Sequence, residues 1–229
     1  MKKEYILYFD SGTSNTRAYL LDREFRICDS AKRAVGSKDS AIAGTNRVLI
    51  EGMKALYDQV LAANSLTDGD VEAIYASGMV TSPYGLKEVP HLVLPMTVRD
   101  FADSLYPFHE DTCFHRDIFL VPGLKTLSDD FSHAMRIFEQ GTPQQRLSYG
   151  ESVIMGGVRQ SLEYYCEHFW KECRTVALVS DEFMYRLFSM ILEGSRYIDR
   201  IIWMPISDGK SYGVSGLKKI VSLKGERHE

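Results

Sequence analysis

Residues Asp10–Arg17, reading D-S-G-T-S-N-T-R, place one carboxylate, one glycine and five small polar side chains ahead of an arginine. A glycine-containing turn of this kind can aim several backbone N–H groups into one concavity that suits phosphate oxygens. Gly12 permits close backbone approach, while Thr13, Ser14 and Asn15 add side-chain donors. Asp10 can hold a divalent metal through water, because Mg²⁺ keeps much of its hydration shell. The combination fits phosphoryl transfer, where positioning and charge neutralisation supply most of the catalysis. The same residues also fit an ordinary hairpin in which Asp10 and Asn15 satisfy turn amides, and both readings stand at this point. The turn is not a Walker A loop, since G-x-x-x-x-G-K-[ST] does not occur in the chain.

The elements that must position these residues are legible around them. Tyr5–Phe9 is an apolar run that predicts a buried strand with Asp10 at its end, and Ala18–Asp22 predicts a returning strand. Glu24–Asp29 alternates as a third, more exposed strand would. Ser40–Ala63 carries a helical pattern with Val48, Met53, Leu56, Val60 and Leu61 near one face. Thr67–Asp70 breaks it, and Ala73–Ala76 predicts a short buried strand leading into Ser77–Gly78–Met79. The apolar stretch Leu92–Pro95, a helix over Val98–Leu105 and a strand over Asp117–Val121 follow. Alternating strands and helices after an antiparallel start predict a mixed α/β layer fold.

Beyond this point the texture changes. Ser128–Gln145 is polar without a firm pattern, and Leu147–Trp170 predicts a helix interrupted at Gly156–Gly157. Thr175–Val179, Asp181–Leu192, Ile201–Pro205 and Gly213–Leu223 predict strand, amphipathic helix, strand and helix. The expected division is a first lobe over 1–127 and a second over 128–229.

Composition excludes several function classes. With 45% hydrophobic and 25% charged residues and a net charge of -4, the chain shows no basic stripe of the kind nucleic-acid binding uses. No apolar run approaches the roughly 20 residues that span a bilayer, so no membrane partner is expected, and cytoplasmic residence is the simplest reading. Cys28, Cys113, Cys166 and Cys173 form no C-x-x-C pair and read as buried or incidental thiols of a reducing compartment; His168 is the one metal-ligand type near the last two.

Three ordered segments resemble one family. The first hairpin, D-x-G-T-[ST]-N-x-R-A, looks like the phosphate-binding opening of the sugar kinase, heat-shock ATPase and actin superfamily. More narrowly it resembles the 2-dehydro-3-deoxygalactonokinases, whose opening is D-W-G-[ST]-[ST]-N-x-R-A-W; here Ser11 stands for the first Trp and Tyr19 for the second. Ala76–Ser82 with Gly85, Lys87–Glu88 and Pro90 resembles the family's A-G-M-x-x-S-x-x-G-W-x-E-x-P. Val121–Leu124, followed by Asp129–Asp130 and Met135–Arg136, resembles its P-G-L…D-x-M-R.

The resemblance implies an actin-like ATPase (ribonuclease H-like) first lobe with a reduced second lobe. It implies transfer of the ATP γ-phosphoryl group to a hydroxyl of a six-carbon 2-keto-3-deoxy sugar acid, with ATP and Mg²⁺ as cofactors. Carried over residue by residue, Asp10 manages Mg²⁺ and the transferring phosphate, and Gly12, Thr13, Ser14 and Asn15 form the phosphate cradle. Arg17 braces the hairpin or meets the acid's carboxylate, although a solvated strand arginine reads the same. Gly78, Met79, Ser82, Gly85 and Glu88 line the sugar-acid site; Met79 fits core packing as well, and Glu88 plain surface charge.

The pattern departs from the family further on. In place of its G-E-E-T-Q after Met-Arg, this chain has Ile137–Thr142, where Glu139 is the one acid; a competing alignment offers Glu151 in Gly150–Glu151–Ser152. Either is the candidate general base. The family's P-G-T-H-S-K-W and T-G-E have no counterpart, and Ser180–Asp181 occupy the turn expected near adenosine. The alternatives are therefore a non-catalytic sugar-acid-binding or regulatory relative, or another small sugar kinase of the superfamily.

Overall fold

The computed structural model describes residues 4–93, 96–125, 162, 163, 166, 174–206 and 211–225. The chain divides into two units, Met1–Thr126 with Ser211–Glu229, and Leu127–Lys210.

The first unit is built on a six-stranded mixed sheet of order β3-β2-β1-β4-β7-β6. Strands β1 (Tyr5–Ser11), β2 (Thr16–Leu21) and β3 (Ile27–Arg33) form an antiparallel meander. β1 then pairs in parallel with β4 (Val71–Gly78), and β4 with β7 (Arg116–Leu120). An antiparallel triplet continued by parallel strands beside its first member is a ribonuclease H-like strand arrangement. β6 (Tyr106–Glu110) closes the far edge against β7. A separate two-stranded parallel sheet joins β5 (Leu92–Val93) to β8 (Leu124–Lys125).

Both faces of the central strands are covered, which is why β1 and β4 read as near-continuous apolar runs. On one face Leu7, Phe9, Leu20 and Ile74 pack against Leu49, Met53, Leu56 and Val60 of α2 (Arg47–Ala63). On the other, Ile6, Tyr8 and Tyr75 meet Ala102 of α3 (Val98–Asp103) and Val214, Leu217 and Ile220 of α5 (Tyr212–Gly225). The last helix therefore groups with the first unit, not with a second lobe running to residue 229 as its place in the sequence suggested; its buried Val-Leu-Ile stripe needs the uncovered sheet face.

Several boundaries differ from the sequence expectation, each for a local reason. The expected helix over 40–63 is two helices, α1 (Ser37–Ala43) and α2, because Gly44 adopts a left-handed conformation at φ 66°. The third strand begins at Ile27, since the Asp22 carboxylate takes the amides of Glu24 and Arg26, each at 2.9 Å, and folds residues 22–26 into a turn.

In the second unit, β9 (Thr175–Ser180) and β10 (Arg200–Pro205) pair in parallel, with α4 (Glu182–Leu192) between them in sequence. Asp181 caps α4 by accepting the Met184 amide at 2.8 Å, and Tyr185 stacks on Trp203 at 5.1 Å. The expected helix over 147–170 lies outside the described residues apart from 162, 163 and 166. Among the described residues no helix is long and apolar enough to cross a membrane.

Candidate functional site

The turn between β1 and β2 is fixed from beneath. Ser11 and Thr16, both fully buried, share a hydroxyl–hydroxyl bond at 2.9 Å, and Thr16 donates onward to the Val35 carbonyl at 2.8 Å. The Gly12 amide closes the turn on the Asn15 carbonyl at 2.8 Å. The Thr13 carbonyl accepts from Lys38 N–H at 2.9 Å, and the Gly12 carbonyl from Ser37 N–H at 3.3 Å. Gly36 permits this seating, because a Cβ there would lie 2.4 Å from the Thr13 oxygen. The carbonyls are thus engaged inward, whereas the amides of Thr13, Ser14 and Asn15 carry no partner among the described residues. Three unspent N–H donors on an exposed bend are what an anion-binding nest requires.

Asp10 stands half-buried beside this bend, directly across from Arg17 on β2 and Ser77 on β4. It lies in the penultimate pairing of the strand, one residue deeper than expected, since β1 continues to Ser11, which pairs with Thr16 and Gly78. Neither the Asp10 nor the Arg17 side chain has a hydrogen bond or ion pair among the described residues. Behind Asp10, the Tyr8 hydroxyl and Ser77 Oγ share a bond at 2.6 Å. Burial, with the Asp10 charge adding to it against the Ser77 bond, pushes the Tyr8 hydroxyl up to about 12, so it stays protonated. Arg17 faces Lys32, and Thr16 faces Arg33, across β2 and β3. None of Arg17, Lys32, Arg33 and Lys38 is ion-paired among the described residues.

The segment after β4 is locked to the bend through one contact. Gly78 adopts φ 84°, and a Cβ there would lie 2.3 Å from the Ser11 carbonyl oxygen. Residues Met79–Thr81 form a single 3₁₀ turn, with Thr81 Oγ1 donating to the Gly78 carbonyl at 3.0 Å and Ser82 Oγ to the Met79 carbonyl at 2.8 Å. The chain then doubles back: Leu86 N–H reaches the Val80 carbonyl at 2.8 Å and Val89 N–H the Thr81 carbonyl at 3.0 Å. Gly85 is required in the reversal, because a Cβ would sit 2.2 Å from the Val80 oxygen.

Of the residues expected at a sugar-acid site, Gly85 and Glu88 line one groove of about 380 Å³. Gly78, Met79 and Ser82 are outside that lining. Met79 is exposed, not packed in the core, and the Ser82 hydroxyl is occupied by the Met79 carbonyl. Glu139 and Glu151 lie outside the described residues. Asp181, expected near adenosine, serves as the α4 cap. The Ser11–Thr16–Val35 chain and the Tyr8–Ser77 bond escaped sequence reading, although hydroxyl residues bracketing the turn at Ser11 and Thr16 are a visible signal for the first. Among the described residues no three His, Cys, Asp or Glu side chains gather as a metal site.

A family model for 2-keto-3-deoxy-galactonokinase matches residues 10–140, more than half of the chain. Among solved structures, a candidate 2-dehydro-3-deoxygalactonokinase from Sinorhizobium meliloti is similar at 23% identity, with a TM-score of 0.42 over 56% of this chain and 37% of that one. The activator of the 2-hydroxyisocaproyl-CoA dehydratase from Clostridium difficile, with bound ADPNP, is similar at 12% identity. Its TM-score is 0.42, over 97% of this chain and 95% of that one. The match thus spans little more than a third of the Sinorhizobium meliloti protein's length. No curated protein matches the chain.

Proposed function

Because the chain belongs to the 2-keto-3-deoxy-galactonokinase family, we propose that it transfers the γ-phosphoryl group of ATP to a hydroxyl of 2-keto-3-deoxygalactonate. The observation that carries this reading is the bend at Gly12–Asn15, where three amides and the neighbouring carboxylate are unspent among the described residues. An ordinary hairpin would have used Asp10 to satisfy turn amides, and this one does not.

In this reading the amides of Thr13, Ser14 and Asn15, with Gly12 allowing close approach, hold the oxygens of the phosphoryl group. Asp10 suits a hydrated Mg²⁺, because one half-buried carboxylate free of protein partners leaves room for the metal's own waters. When bound, Mg²⁺ supplies charge neutralisation on the phosphate oxygens. Arg17 adds a positive charge on the same sheet face as Asp10. The acceptor oxygen forms its bond to phosphorus as the bond to the bridging oxygen of ADP breaks. The hydroxyl proton passes to a carboxylate, for which Glu139 and Glu151 are the candidates. Gly78, Met79, Ser82, Gly85 and Glu88 belong to the acceptor side.

A coupled assay of ADP formation tests the reading with a panel of acceptors: 2-keto-3-deoxygalactonate, its C4 epimer, gluconate and glycerol. Acid-dependent ADP formation favouring the first is the expected result. ADP formation with glycerol or gluconate alone would move the chain to another sugar kinase, and no acceptor-dependent signal at high enzyme would remove the enzyme reading.

A further inference from the structure

The break between α1 and α2 and the loop after β4 enclose the groove of about 380 Å³, a size within the range of small-molecule sites. Ser40, Thr45 and Asn46 come from the helices, and Tyr84, Lys87 and Glu88 from the loop. Lys87 and Glu88 are exposed and adjacent, yet neither side chain has an ion pair or hydrogen bond among the described residues. Ser40 is only 2% exposed, and its hydroxyl oxygen is buried without a partner among the described residues. An unpaired buried hydroxyl is a free-energy cost that a ligand hydroxyl or a water in the groove removes. The walls are already in place: Asn46 Nδ2 donates to the Leu86 carbonyl at 3.2 Å, and the Gly85 reversal is too tight to carry a side chain. Pre-formed walls reduce the ordering cost of binding.

We propose that this groove holds the acceptor as a small polyhydroxylated carboxylate, with Lys87 meeting the carboxylate and Glu88 accepting from its hydroxyls. Ser40 gains its partner from the same ligand, and Tyr84, 58% exposed, covers the hydrocarbon face. The assignment rests on the kinase reading for the identity of the ligand, and it gives the carboxylate to Lys87 in place of Arg17. One cation beside one acceptor of hydroxyl protons selects for hydroxy acids over neutral sugars, because a charge-assisted bond is made only by the acid.

Isothermal titration of the full chain without nucleotide tests this, using 2-keto-3-deoxygalactonate and its amide, which removes only the charge. The wild type is expected to bind the acid more tightly than the amide. Lys87→Met weakens acid binding at least tenfold and leaves the amide unchanged, whereas Lys87→Arg retains the preference. Ser40→Ala leaves the ligand-free melting temperature unchanged or higher and shrinks the shift produced by the acid. Equal weakening of acid and amide, wild-type acid affinity in Lys87→Met, or loss of the preference in Arg17→Gln instead would overturn the assignment, as would no binding of the acid at all. Acid binding of the expected kind without acid-dependent ADP formation would remove the kinase reading and keep the groove. ADP formation with an unaltered KM for the acid in Lys87→Met would do the reverse.

Discussion

Asp10 and Arg17 are direct partners across the β1–β2 hairpin, yet no ion pair joins them. Opposite charges placed so in an antiparallel pair ordinarily attract, by about 0.2–1 kcal/mol. Here the arginine also faces Lys32 on its other side. Both charges therefore remain available to a phosphoryl ligand. Arg17→Gln should change stability by no more than about 0.5 kcal/mol, while raising the KM for Mg-ATP several-fold. Steady-state kinetics at two ionic strengths check this, and the wild-type KM should rise with salt more steeply than that of the variant.

Gly78 couples the bend to the acceptor loop. Gly78→Ala forces a side chain into a left-handed conformation and against the Ser11 carbonyl. Strain and overpacking each cost about 1–3 kcal/mol, so a loss of about 2–6 kcal/mol is expected in urea unfolding. An alanine variant as stable as the parent would mean that β1 and β4 do not meet as described.

The buried hydroxyl chain gives a milder test. Thr16→Val preserves shape but strands Ser11 Oγ and the Val35 carbonyl. The expected cost is about 1–3 kcal/mol, with faster amide exchange at Thr13–Asn15. Ser11→Ala, which removes the other end of the chain, should cost less.

Two carboxylate-linked groups at the β6–β7 hairpin give opposite pH signatures. Burial pushes the Glu110 carboxyl up, but the Thr112 hydroxyl and the amides of Phe114, Cys113 and Thr112 outweigh it and hold the group below its ordinary 4.5. Its stabilisation is present above 4.5 and is lost as pH falls through the lower folded value. His109 is held above its ordinary 6.5 chiefly by the bond to Asp117 at 2.6 Å, helped by Asp111. That contribution is complete below 6.5 and fades as pH rises through the higher folded value. NMR titration should show the His109 midpoint falling in Asp117→Asn, and acid unfolding should begin at higher pH in Thr112→Val.

The bend was legible in the sequence as a turn because its signal is local: glycine, hydroxyls and a carboxylate lie within eight residues between two apolar runs, although the same residues also fit an ordinary hairpin. The buried strands around it stand out for a related reason, since covering both sheet faces removes the alternation that marks a half-exposed strand. β6 gives no such signal. It is an edge strand and tolerates Pro107, a residue that argues against a strand anywhere deeper in a sheet. The groove is illegible for another reason, because Ser40 and Asn46 meet Lys87 only through the fold. The last helix was readable as a helix, but not its partner, since an apolar stripe does not say which surface it will cover.

The most direct test of the account is phosphoryl transfer by Asp10→Asn, followed by ³¹P NMR of ATP, ADP and phosphorylated acid, beside calorimetry of nucleotide binding. The account predicts that product formation falls by about a hundredfold to a thousandfold, in line with loss of a group that manages charge in the transition state. The melting temperature should stay within a few degrees, and binding of Mg-ATP should weaken more than binding of ATP in EDTA. An Asp10→Asn protein that phosphorylates the acid at the wild-type rate would contradict it.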